Sequence, residues 1–125
     1  MPLIRVDIPH GHDRETKQAL YDAIHDGIFA TWATDHIYIS LRERFAPAGD
    51  RQVLFTFDLR PGRDDEAGRL DRLFDAVQPA FENALGTRRE DFILLVRHFP
   101  AEACLPGGTV PNPLARLTPG VKAAE

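Results

Sequence analysis

The 125-residue chain carries 19 acidic against 15 basic side chains, a formal net charge of -4, which gives no general attraction to phosphate backbones or anionic membranes and leaves nucleic acid an unexpected partner. That length supplies one domain, residues 1–125, whose core buries about two-thirds of the unfolded chain's surface. Its apolar stretches fall short of the ~20 residues that cross a bilayer, and the N-terminus lacks the basic segment and apolar run of a secretory signal, so no membrane association and a cytoplasmic location are expected.

Met1-Pro2 heads a first strand, Leu3 to Ile8. Trimming of the methionine turns Pro2 into a terminal secondary amine, a group no internal residue duplicates. From Arg14 to about Ala33 the apolar residues Ala19, Leu20, Ala23, Ile24, Ile28 and Phe29 keep the three-and-four spacing of a helix, with Asp13 as its N-cap and Trp32 packing beneath its end. Ile37 to Leu41 alternates and is rich in strand formers, predicting a second strand. Val53 to Leu59 is a third, and a second helix runs from about Asp65 to Leu85 with Leu70, Leu73, Phe74, Val77, Phe81 and Leu85 inward, stopped by Gly86. Phe92 to Val96 is the last strand. After Pro100 the chain is rich in proline and glycine and reads as an irregular tail over 100–125, wrapping a neighbour or its own surface and frayed from Gly120 to Glu125.

The two halves repeat one another. Val6-Asp7-Ile8-Pro9-His10-Gly11-His12-Asp13-Arg14-Glu15 aligns without a gap on Phe57-Asp58-Leu59-Arg60-Pro61-Gly62-Arg63-Asp64-Asp65-Glu66, and Leu20 to Ile24 matches Leu73 to Val77 after an insertion of two residues. The fold class is therefore α+β: a two-layer, duplicated β-α-β with pseudo-repeats at about 2–45 and 53–99. Right-handed crossovers place both helices on one face of a four-stranded sheet. The other face needs cover from outside the repeat.

Where the first copy carries Pro9 and His12, the second carries Arg60 and Arg63. From spacing alone an arginine pair followed by Asp64, Asp65 and Glu66 is a set of solvated ion pairs worth little. The difference between copies points instead to a site, because planar guanidinium forks suit a carboxylate and neighbouring cations disfavour a protonated amine. His10 and His12 lack a further ligand at metal-binding spacing and read as turn histidines. Arg97 and His98 close the last strand, facing a pocket or lying on an edge. Cys104, the single cysteine, serves as a small apolar residue. Neither metal nor cofactor is expected.

A Pro2 start, two β-α-β halves and the Leu59-Arg60-Pro61-Gly62-Arg63-Asp64-Asp65-Glu66 stretch resemble the tautomerase superfamily with an N-terminal catalytic proline. Thr34-Asp35-His36-Ile37-Tyr38, Arg44 to Asp50, Arg60-x-x-Arg63 and Phe99-Pro100-Ala101 resemble its cis-3-chloroacrylic acid dehalogenase group, with the malonate semialdehyde decarboxylase group as near alternative. The resemblance implies a homotrimer, whose neighbours would cover the open sheet face. It also implies that Pro2 is catalytic and that Arg60 and Arg63 bind substrate. Asp35 stands where the decarboxylases have an aspartate, to orient a water, pair with Arg60 or His36, or simply begin the strand. Tyr38 takes the place of a substrate-binding arginine of smaller tautomerases, to hydrogen-bond a carbonyl or to pack a trimer contact.

Three departures narrow the chemistry. The dehalogenase group uses a histidine where this chain has Ile28, a tyrosine where it has Leu95 and a water-activating glutamate where it has Pro106. Water addition thus recedes, leaving proton transfer in a small enol or 2-oxo carboxylate with Pro2 as general base. Two alternatives stay open: a decarboxylase of a 3-oxo acid with cationic Pro2, or a non-catalytic trimeric binding protein if Met1 is retained.

Overall fold

The computed structural model describes residues 2–34 and 37–100. Its elements run β1 (Leu3–Pro9), α1 (Arg14–Trp32), β2 (Tyr38–Arg44), β3 (Val53–Leu59), α2 (Glu66–Leu85), a 3-10 turn (Arg89–Asp91) and β4 (Phe92–His98). The sheet order is β2-β1-β3-β4. Each β-α-β half contributes a parallel pair, β1 with β2 and β3 with β4, and the halves meet through antiparallel pairing of β1 with β3. Four strands and two helices are thus arranged as the duplicated pattern predicts.

Alternation along the strands sorts the two faces. Ile4, Val6 and Ile8 of β1 and Val53, Phe55, Phe57 and Leu59 of β3 are buried against Leu20, Ile24 and Ile28 of α1 and Leu73, Val77 and Phe81 of α2. Phe55 is the hub of an aromatic cluster, edge-on to Phe74 and Phe92 at 5.1 and 5.6 Å between ring centroids. The helices approach closely at Gly27, where an added Cβ would lie 2.7 Å from Leu73 Cδ1. Asp13 caps α1 through Oδ1, which accepts from the Thr16 amide at 2.8 Å.

The opposite face carries Leu3, Arg5 and Asp7 of β1, with Tyr38, Thr56, Ile93 and Leu95 from the other strands in register. Tyr38, Ile93 and Leu95 are 58%, 46% and 47% exposed, so an apolar band lies open. Two cross-strand ion pairs flank it at positions equivalent in the two halves: Arg42 with Asp7 at 3.1 Å, and Arg97 with Asp58 at 2.9 Å.

Three strands extend beyond their predicted ends, β1 by one residue to Pro9. β2 reaches Arg44 instead of Leu41 because its charged residues find partners: Arg42 on Asp7, Glu43 on Lys17 and the Gly11 amide, and Arg44 on Asp50 and the Gln52 carbonyl. β4 reaches His98, whose Nε2 meets the Glu66 carboxylate at 2.8 Å. α2 begins at Glu66, and Asp65 caps it by position alone, with a left-handed φ of 51° and no capping hydrogen bond from its side chain, whose Oδ2 accepts from Arg72 Nη1 at 3.2 Å instead. The tail readings, including Cys104 and Pro106, lie outside the described residues, as does Met1.

Candidate active site

The antiparallel β1/β3 pairing sets Leu3 opposite Asp58, which brings the start of β1 beside the end of β3. Pro2 is buried there, and its carbonyl accepts from the Tyr38 amide at 3.2 Å. Beyond Leu59 the chain turns through Arg60-Pro61-Gly62-Arg63, with Gly62 at φ 91°. Proline at the second position and a left-handed glycine at the third are the signature of a type II turn, whose first and fourth Cα atoms lie within ~7 Å. Arg60 and Arg63 occupy those corners.

Pro2, Arg60 and Arg63 line one cavity of about 320 Å3, with Trp32 and Leu59 as apolar wall and Asp64 on its lining as well. Trp32 is the last residue of α1, 3% exposed and stacked on Phe57 at 6.5 Å. Arg60 is half-buried and its Nε is enclosed by protein. Arg63 donates through Nη2 to the Trp32 carbonyl at 3.0 Å. A space lined by two arginines and one tryptophan, with Asp64 beside them, can accept a small carboxylate with an apolar or conjugated body.

Tyr38 is not brought to this cavity within the protomer. It stands on the open sheet face, beside a shallow groove shared with Leu3, Arg5, Asp58 and Arg97. Asp35 lies outside the described residues. Ile28, where the dehalogenases have a histidine, is fully buried in the core, whereas Leu95 is on the open face. Arg97 pairs with Asp58 on that face too, and His98 with Glu66. His10 stacks on Phe45 at 5.3 Å and its Nδ1 lies 3.2 Å from the Ala46 amide. Among the described residues no cluster of His, Cys, Asp or Glu is arranged to hold a metal ion, and no helix is long and apolar enough to cross a membrane.

Sequence reasoning missed Arg69. Its Nε donates to the Asp64 carbonyl at 2.8 Å, its Nη2 lies 3.2 Å from Asp64 Oδ1, and its Nη1 donates to the Thr31 carbonyl. A signal did exist. A cation in the first turns of a helix opposes the helix dipole, so an arginine four residues into α2 calls for a specific partner.

No protein-family model matches the chain, and no curated protein matches its sequence. Its architecture does have counterparts: the chain has the fold of the tautomerase superfamily. Malonate semialdehyde decarboxylase FG41 inhibited by 3-bromopropiolate superposes with a TM-score of 0.66 at 21% identity, over 86% of this chain and 91% of that one. Native fused 4-OT gives 0.69 at 18% identity, over 93% and 98%. A symmetric trimer of wild-type fused 4-OT gives 0.66 at 24% identity, over 86% and 93%. At these identities the likeness is one of fold.

Proposed function

We propose that the chain is a cofactor-independent, tautomerase-like enzyme that moves a proton in a small enol or 2-oxo carboxylate and works as a homotrimer. The observation that carries this reading is the convergence of Pro2, Arg60 and Arg63 on one cavity. Methionine removal frees the Pro2 nitrogen; while acylated it is an amide with no basic lone pair. A secondary amine is ordinarily too basic to be neutral at pH 7, and burial together with two nearby guanidinium groups both favour the neutral form.

The proton shift follows from that placement. The neutral amine takes the enol O–H proton, the O–H electron pair closes the C=O bond, and the C=C pair accepts a proton at carbon from the resulting ammonium. The amine is regenerated and the substrate has only exchanged an enol for a ketone. Arg60 and Arg63 hold the carboxylate and oppose the negative charge that builds on the conjugated oxygen. Trp32 and Leu59 limit water around it. The trimer assignment draws on the open apolar sheet face and on the trimeric fused 4-OT of like fold.

The test has two stages. Intact mass of the natively expressed chain establishes the terminus, and a retained methionine defeats the enzymatic reading in favour of a trimeric binding protein. Nitrogen NMR of Pro2 then decides its state. A neutral amine at pH 7, with loss of phenylenolpyruvate ketonisation in Pro2→Ala, supports the base. A cationic amine transfers the same cavity to polarisation and decarboxylation of a 3-oxo acid.

A further inference from the structure

We propose that Arg69 is the positioning residue of this cavity: its guanidinium clamps the Arg60-to-Asp64 turn to the C-terminal end of α1 and so fixes Arg60 and Arg63 on the wall they share with Pro2. The inference rests on the carboxylate-binding reading above and adds a residue that does not line the cavity.

Three features carry it. Arg69 spans two separate segments, with one arm on the Thr31 carbonyl in the last turn of α1 and two on Asp64 at the end of the turn. Its side chain is only 19% exposed, whereas its Asp64 partner is 84% exposed. The ion pair itself is therefore screened, and the two carbonyl contacts do the holding. Further, α1 has no basic residue in its own last turn. The cations at that carbonyl-rich end come from the other half of the chain, Arg69 on Thr31 and Arg63 on Trp32. Arg63 thus depends on the same helix end that Arg69 secures.

The equivalent turn of the first half is held differently. There the Gly11 amide donates to Glu43 Oε2 at 3.0 Å, and Lys17 meets Glu43 Oε1 at 2.7 Å, so that turn is tied to β2. The clamp between a turn and a neighbouring helix end occurs at the turn bearing the arginine pair. A lysine at 69 retains charge and reach but cannot bridge both segments, because the planar fork supplies the divergent donors.

Arg69→Gln is tested by amide hydrogen exchange and by steady-state ketonisation of phenylenolpyruvate. Exchange at residues 31–33, 60 and 62–64 is expected to accelerate about tenfold or more, with residues 10–12 of the first turn unchanged; equal rates at 60 and 62–64 in variant and wild type overturn the proposal. On the order of a 10- to 100-fold fall in kcat/KM is expected from misplaced substrate-binding groups, shrinking to under about twofold when Arg69→Gln is added to an Arg60→Ala/Arg63→Ala background. The same loss in both backgrounds also overturns it, since Arg69 would then act independently of the arginine pair. If the wild type lacks ketonisation activity, the functional reading fails and exchange alone decides the clamp. Should Arg69→Gln not fold, Arg69→Lys is read by the same measurements.

Discussion

Gly27 offers a sharp test of how the two helices meet. A Cβ there would lie 2.7 Å from Leu73 Cδ1, 3.4 Å from Val77 Cγ1 and 3.8 Å from Ala76 Cβ. Carbon atoms rest at about 3.5–4.0 Å, so the Leu73 Cδ1 methyl must retreat by ~1 Å from a fully buried position. Overpacking of this kind costs about 1–3 kcal/mol, while replacing a mid-helix glycine by alanine returns about 0.8–1.0 kcal/mol of helix propensity. Gly27→Ala should therefore destabilise by about 1 kcal/mol, lowering Tm by about 3–5 °C for a domain of this size. In a Leu73→Ala background, itself costing about 2–5 kcal/mol, the same methyl fills vacated space and the sign should reverse to a gain of about 1 kcal/mol. Urea unfolding followed by the fluorescence of Trp32, the single tryptophan, reads the wild type and all three variants. Protein concentration is held fixed because association adds to apparent stability. Stabilisation by Gly27→Ala alone, or an equal loss in both backgrounds, would refute the packing account.

Other consequences are as specific. Thr87 is fully buried and donates through Oγ1 to the Arg51 carbonyl at 2.9 Å; Thr87→Val keeps its shape but strands that carbonyl, and should cost about 1–3 kcal/mol in the same unfolding assay. Asp13, Glu43 and Asp50 have carboxyl pKa values below their ordinary 3.8, 4.5 and 3.8, chiefly through hydrogen bonds from the Thr16 amide, the Lys17 ammonium and the Gln52 amide respectively. A folded value below the unfolded one means that their contribution is complete above about pH 5 and is lost as pH falls through the depressed values. Glu43→Gln should accordingly flatten the fall in Tm between about pH 5 and pH 3, and an unchanged slope would contradict it. Leu95→Glu puts a charge in the open apolar band and should give monomers by sedimentation equilibrium where wild type is expected to give trimers; a trimeric variant would remove that face from the interface.

Much of the architecture was legible in the residues. Apolar spacing defined both helices and all four strands, and the aligned copies exposed the arginine pair through its absence from the first. The cavity was legible only in part. Arg60-Pro61-Gly62-Arg63 carries its own turn chemistry, so the two guanidinium groups are neighbours by local geometry. Arg69 escaped because its partners are 5 and 38 residues away in sequence, and periodicity carries no information at that range. Tyr38 was placed correctly in a strand, but only cross-strand register with Leu3 assigns it to the open face.

By itself, then, the sequence determined element type and order and the duplication, since these follow from local periodicity, and side-chain chemistry nominated Pro2, Arg60 and Arg63 as the candidate base and carboxylate-binding residues. Tertiary structure alone decided that β1 pairs antiparallel with β3. That pairing, set by burying one face of each strand under both helices, carries the first residues of the chain to the far end of the other half, where Pro2 meets Arg60 and Arg63.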